Sequence, residues 1–338
     1  MGDSVWRMGA HELWRQGLTG KGVKVGVIDS GVGYHPDLEG VMGGLDETGL
    51  PRNYTTQTGP GEMGQHGTHV AGTIHALAPE AEIHSYKAID EGSFHENRMM
   101  SAQEETTVAK SIMAAVDQAV KDGCHVINMS LGTRGLPSGD MAQKIEEHAR
   151  NGVIFVISAG NEGGGGIGTP SNAPSAITVG SLDAHNGVST FSSRGANWDV
   201  AKCALAVKTV FMAPGENISS TKLLFKPEAK YARPSDGYMN LSGTSMAAPH
   251  VAGSSALLVQ HAQLVQHRLN IMNPVNMSRV IQDALVESSE RMPVQILPGV
   301  PAEQPFLIVD PVAAREKLEE RLNAEKLRQE AELQRPAI

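Results

Sequence analysis

The stretch GVIFVISAG, residues 152–160, decides the fold. Its centre is an unbroken apolar run from Val153 to Ile157, with no polar residue at alternate places. A strand with one wet face alternates. A strand buried on both faces does not, and such strands belong to parallel sheets covered by helices on either side. Before it, residues 138–150 read as a helix that stops at Asn151-Gly152, a pair suited to a left-handed helix end. After it, AITVGSL (176–182) reads as another buried strand. Working outward, VKVGVID (23–29), AEIHSYKAI (81–89) and CHVINMSL (124–131) read as strands, and HVAGTIHAL (69–77) and residues 245–262 as helices. Residues 101–122 predict a helix opened by a Ser101/Glu104 capping box, with Val108, Ile112, Val116 and Val120 on one face. This alternation predicts an α/β fold with a mainly parallel central sheet and helices on both faces.

Composition agrees with a globular domain and narrows its function. The chain has 338 residues, 40% apolar and 19% charged, which is too apolar for a disordered chain. Its net charge of −9, with no long basic run, argues against nucleic acid as a partner, because that affinity comes largely from Lys and Arg on phosphates. No apolar stretch approaches the roughly 18 residues of a membrane helix, so no membrane partner is expected. The two cysteines, Cys124 and Cys203, are too few for a disulfide scaffold and are expected to be free. Gly163–Gly168 fits GxGxxG, but Thr169-Pro170 follows where a nucleotide site needs a helix, so a compact loop is expected.

Three segments carry chemistry: VIDSGVGYHPDL (27–38), HGTHVAGT (66–73) and SGTSMAAPHVAG (242–253). Asp29 closes a strand, His66 opens a helix, and Ser245 opens another. Strand carboxyl ends and helix amino ends gather at one edge of an open parallel sheet. A serine hydroxyl needs a base to become a nucleophile, and imidazole titrates near neutrality. The imidazole needs a carboxylate to fix its tautomer and balance its charge. A developing oxyanion needs donors, which the Ser245 N–H at a helix start and the Asn161 amide after a strand offer. His69, three residues past His66, has metal-ligand spacing but no third ligand cluster, so a structural role is expected.

With these motifs in this order, the sequence resembles the subtilisin-like serine proteases, the subtilase family. HPDL (35–38), INMSLG (127–132), FSSRG (191–195) and FMAPG (211–215) add to the resemblance, which spans roughly residues 10–314. The Asp…His…Ser order and the oxyanion asparagine are known features of that family. They imply a serine endopeptidase working through an acyl-enzyme. Asp29 is then the orienting carboxylate, His66 the base, Ser245 the nucleophile and Asn161 the oxyanion donor. An extended peptide is expected to pair with Ser130-Leu131-Gly132. The pocket for the side chain before the scissile bond is expected between that segment and Ser158-Ala159-Gly160, with a floor near Gly168. Its small and apolar lining favours large apolar residues there.

The resemblance implies no required cofactor. Asp37 matches one carboxylate of a calcium site found in many members, but the segment between HGTHVAGTIHAL and APEAEIH is too short to supply that site's carbonyl ligands. Calcium at Asp37 is therefore at most weak. Residues 1–314 are expected as the peptidase domain. Residues 315–338 are expected as a charged, solvated helical tail, with docking on a partner as the sharper alternative. No prodomain-like segment precedes the protease pattern, so a cytoplasmic enzyme, or a secreted one whose leader was removed, is expected. Alternatives to a general endopeptidase are a specialised processing protease or transpeptidase, and a catalytically silent scaffold.

Overall fold

The structure is a computed structural model that describes residues 2–43, 52–55, 64–91, 101–132, 139–163, 166–194, 208–224, 234–271, 273–292 and 306–334. Two short helices, α1 (Gly2–Arg7) and α2 (Ala10–Arg15), lead into β1 (Lys24–Asp29). Then come β2 (Met42–Gly43), β3 (Arg52–Asn53), α3 (Gln65–Leu77), β4 (Glu82–Lys87), α4 (Ala102–Lys121), β5 (Val126–Met129), α5 (Gly139–Arg150), β6 (Ile154–Ser158) and β7 (Ile177–Leu182). The last part of the chain gives β8 (Val210–Pro214), β9 (Ile218–Thr221), β10 (Tyr238–Leu241), α6 (Thr244–Leu269), α7 (Met277–Ser288), β11 (Glu290–Arg291), β12 (Phe306–Ile308) and α8 (Pro311–Leu333).

One sheet runs β11-β12-β8-β7-β6-β5-β1-β4-β2, with β3 also on β4. Every described pairing in it is parallel except β11 with β12. The run that opened the sequence reading lies at its centre as β6. Ile154 and Val156 enter one core with Val25, Val179, Val251 and Leu258. Phe155 and Ile157 enter the other with Ile112, Val116, Ile127 and Ile145. Both faces are therefore dry, as an uninterrupted apolar strand requires. α3 and α6 cover the first face, and α4 and α5 the second. The capping box of α4 forms as expected. Glu104 N–H donates to Ser101 Oγ, and Ser101 N–H donates to Glu104 Oε2 at 2.7 Å.

The solvated reading of the C-terminal helix is corrected. The boundary at 314/315 falls inside α8, whose Ala314, Leu318 and Leu322 are fully buried in the same core as α3 and α6. Arg321 reaches Asp283 (2.9 Å) and Glu287 (2.6 Å) on α7, and Glu319 meets Arg268 of α6 at 2.5 Å. The charges that suggested a solvated helix partly serve to dock it. Cys124 is a buried thiol beside Tyr86, and burial pushes its pKa up to about 12. Cys203 lies outside the described residues.

Candidate active site

Parallel strands bring their carboxyl ends to one edge, and the site is built there. Asp29 is the last residue of β1 and has no exposed side-chain surface. His66 lies in the first turn of α3, and its side chain is 13% exposed. Its Nδ1 lies 2.8 Å from Asp29 Oδ1. The same oxygen accepts from Ser30 N–H (2.7 Å) and more loosely from the Ser30 hydroxyl (3.2 Å). The close approach of α3 to the loop after β1 depends on Gly67, because a Cβ there would collide with the Gly31 carbonyl.

Burial depresses the His66 pKa, but Asp29, by charge and hydrogen bond, and Glu91, by charge, outweigh it, so the pKa stands above the ordinary value. A carboxylate on Nδ1 holds an imidazole in the tautomer that leaves Nε2 basic. His69 differs in kind. Its Nε2–H donates to Ile218 O (3.0 Å) and Met239 O (3.1 Å), tying α3 to the β9–β10 hairpin, and burial drops its pKa to about 4.

Ser245 is the second residue of α6, and the helix start is tied to the residue after β5 by a reciprocal pair of bonds. The Ser130 hydroxyl donates to Ser245 O at 2.8 Å, and the Ser245 hydroxyl donates to Ser130 O at 3.3 Å. The first bond has a cause in the sequence. Pro249, four residues on, has no N–H to satisfy the Ser245 carbonyl, so Ser130 does so instead. Asn128 Nδ2 in turn donates to Ser130 Oγ at 3.0 Å.

Asn161 follows β6. Its Oδ1 accepts from Thr244 N–H (2.9 Å) and from the Thr244 hydroxyl (3.0 Å). The amide oxygen is thus occupied, and Nδ2 is the end left to donate. Thr244 Oγ1 also accepts from Gly160 N–H at 3.2 Å, so one threonine fixes both the asparagine and the bend before it. Gly160 has φ +106°, a value that suits glycine. Thr244, the Ser130 hydroxyl and Glu91, whose carboxylate accepts the His66 N–H, were not singled out in the sequence. Only Pro249 gave a signal: a proline within a helix frees the carbonyl four residues back.

The remaining sequence-predicted residues fall at the same edge. Ser130, Leu131 and Gly132 continue beyond the last ladder pair of β5, Met129 with Ile157. Ser130 and Leu131 are buried and Gly132 is exposed. Ser158 and Ala159 are buried, and Gly160 and Gly168 are half-buried. Gly132 faces the Thr169 carbonyl, which a Cβ at position 132 would meet at 3.4 Å. Residues 173–176 are clamped from two sides. Lys208 Nζ donates to the carbonyls of Ala173 (2.6 Å), Pro174 (2.9 Å) and Ala176 (2.7 Å), and Glu146 accepts from Ser175 N–H (2.6 Å) and its hydroxyl (2.8 Å). Burial lowers the Lys208 pKa to about 7, with Glu146 opposing it. Asp37 accepts from the Tyr238 hydroxyl. Among the described residues, no three His, Cys, Asp or Glu side chains converge to hold a metal ion. Gly164 and Gly165 of the glycine run lie outside the described residues.

A family model described as the subtilase family matches residues 20–311. The chain belongs to the subtilase family. Subtilisin Savinase of Lederbergia lenta is 34% identical over 299 residues, covering 84% of this chain and 96% of that protein. Subtilisin E of Bacillus subtilis is 36% identical over 267 residues, covering 74% of this subtilase and 58% of that protein. Among solved structures, a cold-adapted subtilisin-like serine proteinase aligns with a TM-score of 0.58 at 25% identity, covering 86% of this chain and 90% of that one. The prenylagaramide maturation protease PagA aligns with a TM-score of 0.64 over 92% of this chain and 98% of that one. At 23% identity, that likeness speaks to the fold. This subtilase is a serine endopeptidase that acts on peptide or protein substrates.

Proposed function

We propose that Ser245 is the nucleophile of this subtilase, His66 its general base, Asp29 the carboxylate that orients the base, and Asn161 the side-chain oxyanion donor. The observation that carries this reading is the 2.8 Å bond between buried Asp29 and His66 Nδ1, at the sheet edge where α6 presents Ser245. For attack, the Ser245 hydroxyl leaves the Ser130 carbonyl and turns to the imidazole, which takes its proton as Oγ bonds to the scissile carbonyl carbon. Asn161 Nδ2 and the backbone N–H of Ser245 receive the oxyanion. The imidazolium, balanced by Asp29, returns the proton to the leaving amine. Water then repeats the sequence on the acyl-enzyme, with His66 again the base.

The substrate is proposed to add as an extended strand along Ser130-Leu131-Gly132. Its side chain before the scissile bond would lie between that segment and Ser158-Ala159-Gly160, above Gly168. None of these residues carries a charge, and each buried methylene is worth about 0.8 kcal/mol, so Leu, Phe, Tyr and Met are favoured there. The preference is broad, because one methylene discriminates by only about tenfold to two-hundredfold.

A serine-directed phosphonate followed by mass analysis tests the assignment. Label is expected on Ser245, and Ser245→Ala is expected to retain its melting temperature, take no label and lose roughly 10⁶ in kcat, the subtilisin precedent. More than a few per cent residual peptidase activity overturns it. A peptide library varied only before the scissile bond tests the pocket. Gly168→Asp is expected to move preference toward Lys and Arg, and a parent preference for Arg, Lys or Asp overturns the pocket assignment while leaving the triad standing.

A further inference from the structure

The amino end of α3 has no cap of its own, because Gly64 occupies the cap position and has no side chain to offer. The N–H of His66 is instead taken by a residue from another element. Glu91, just beyond β4, accepts it with Oε1 at 3.1 Å and Oε2 at 3.3 Å. A Cβ at Gly64 would overlap this carboxylate and the Ser30 hydroxyl, so the glutamate lies directly over the helix start. Gln65 pins the same turn from the other side. Its Oε1 accepts from Leu223 N–H at 2.8 Å, and its Nε2 donates to Thr221 O at 3.3 Å.

We propose that Glu91 is a positioning residue for the general base, holding the His66 backbone by its N–H and placing a second negative charge, besides Asp29, where the imidazolium forms. The proposal rests on the reading of His66 as that base. A carboxylate at a helix amino end is favoured by the helix dipole, and at this distance it also favours the charged form of the ring beside it. Among the described residues, the neighbouring histidines do not supply that charge. His69 on the same helix is neutral, with a pKa of about 4, and so is His250 on α6. Lys87, at the end of β4, lies 3.5 Å from Asp90.

The consequence runs against the usual direction for an active-site lesion. Glu91→Gln keeps an acceptor for the His66 N–H but removes the charge. The imidazolium is then less favoured, in the resting enzyme and in the transition state alike. The acid limb of kcat/KM is therefore expected at lower pH than in the parent, with a lower plateau because a weaker base does the work. Glu91→Ala removes acceptor and charge together. It is expected to move the limb in the same direction and to lower plateau kcat further, with KM little changed, since a misplaced catalytic group can cost up to about a hundredfold. The experiment is the pH profile of kcat/KM and kcat for the parent, Glu91→Gln and Glu91→Ala on a non-titrating peptide, with melting temperatures measured alongside. An acid limb in Glu91→Gln that superimposes on the parent's overturns the proposal, as does activity lost only in proportion to lost folded protein. His66→Ala is measured in parallel. If it stays active, the base assignment fails. If it is inactive while Glu91→Gln leaves the limb unmoved, only the role of Glu91 fails.

Discussion

Leu318→Ala is the sharpest test of the fold's least expected feature, the docking of α8. Leu318 has no exposed surface, and it packs in the core shared with α3 and α6. Truncation removes three carbons, worth about 0.8 kcal/mol each on transfer. The hole left between α8 and its neighbours adds a cavity cost, and buried Leu→Ala changes span about 2–5 kcal/mol, so about 3 kcal/mol is expected. At an unfolding entropy of about 2.1 cal/mol/K per residue, that loss lowers the melting temperature of a 338-residue chain by about 4 °C. The control sits on the same helix. Leu327 is 66% exposed, and its replacement by Ala is expected to change stability by no more than about 0.5 kcal/mol. Both variants are to be melted with Ser245 blocked by phosphonate, so that self-cleavage does not imitate unfolding. Equal shifts for the two, or a Leu318→Ala shift under about 1 °C, would refute the claim that α8 belongs to the core.

Other outcomes follow from the site. Asn161→Ala is expected to lower kcat by roughly 10²–10³ with KM nearly unchanged, the subtilisin precedent for losing one oxyanion donor; an unchanged kcat in steady-state assays would remove Asn161 from that role. Lys208→Met strips three backbone carbonyls of their shared donor and is expected to cost about 1–3 kcal/mol in urea unfolding. A variant as stable as the parent would show that the clamp contributes nothing. Asp37 already accepts from Tyr238, so chelation with EDTA is expected to leave the melting temperature unchanged. A large fall restored by calcium would reveal a cation site that supports the fold.

Much of this was legible in the sequence because the signals were local. The strands β1, β4, β5, β6 and β7 were legible as short β-rich runs, and their ends fell within two residues of the reading, whereas the equally buried β8 was not read as a strand. Asp29, His66, Asn161 and Ser245 each sit at the end of a regular element, and the parallel sheet gathers such ends by geometry alone. What escaped was carried by contacts between distant residues. Glu91 reaches His66 across 25 positions, and Thr244 reaches Asn161 across 83. No local periodicity records either pairing. The burial of α8 escaped for another reason. Leu318 and Leu322 do repeat at helical spacing, but the surrounding charges masked a stripe that needs only one neighbouring surface, not the sustained heptad of a coiled coil. The short helices α1 and α2 and the edge strands β2, β3 and β11 carry too few residues to show a period.

The state of α8 also bears on how long this enzyme survives its own activity. A protease that binds its substrate as an extended strand cannot thread a helix, so a helical segment is cut only as fast as it opens. Along α8 that protection is graded. Leu333, exposed and of the kind the pocket is proposed to favour, lies past Gln329, which is buried and bonded to Asn273, in a last turn that fraying alone can open, whereas Leu327 is exposed but sits before that anchor. Leu318 and Leu322 are released only when the core gives way. In stored, active preparations the chain is therefore expected to trim from its tail inward and to stall where the helix enters the core. Its half-life is then set by the stability of the first turns of α8 rather than by the reactivity of the serine.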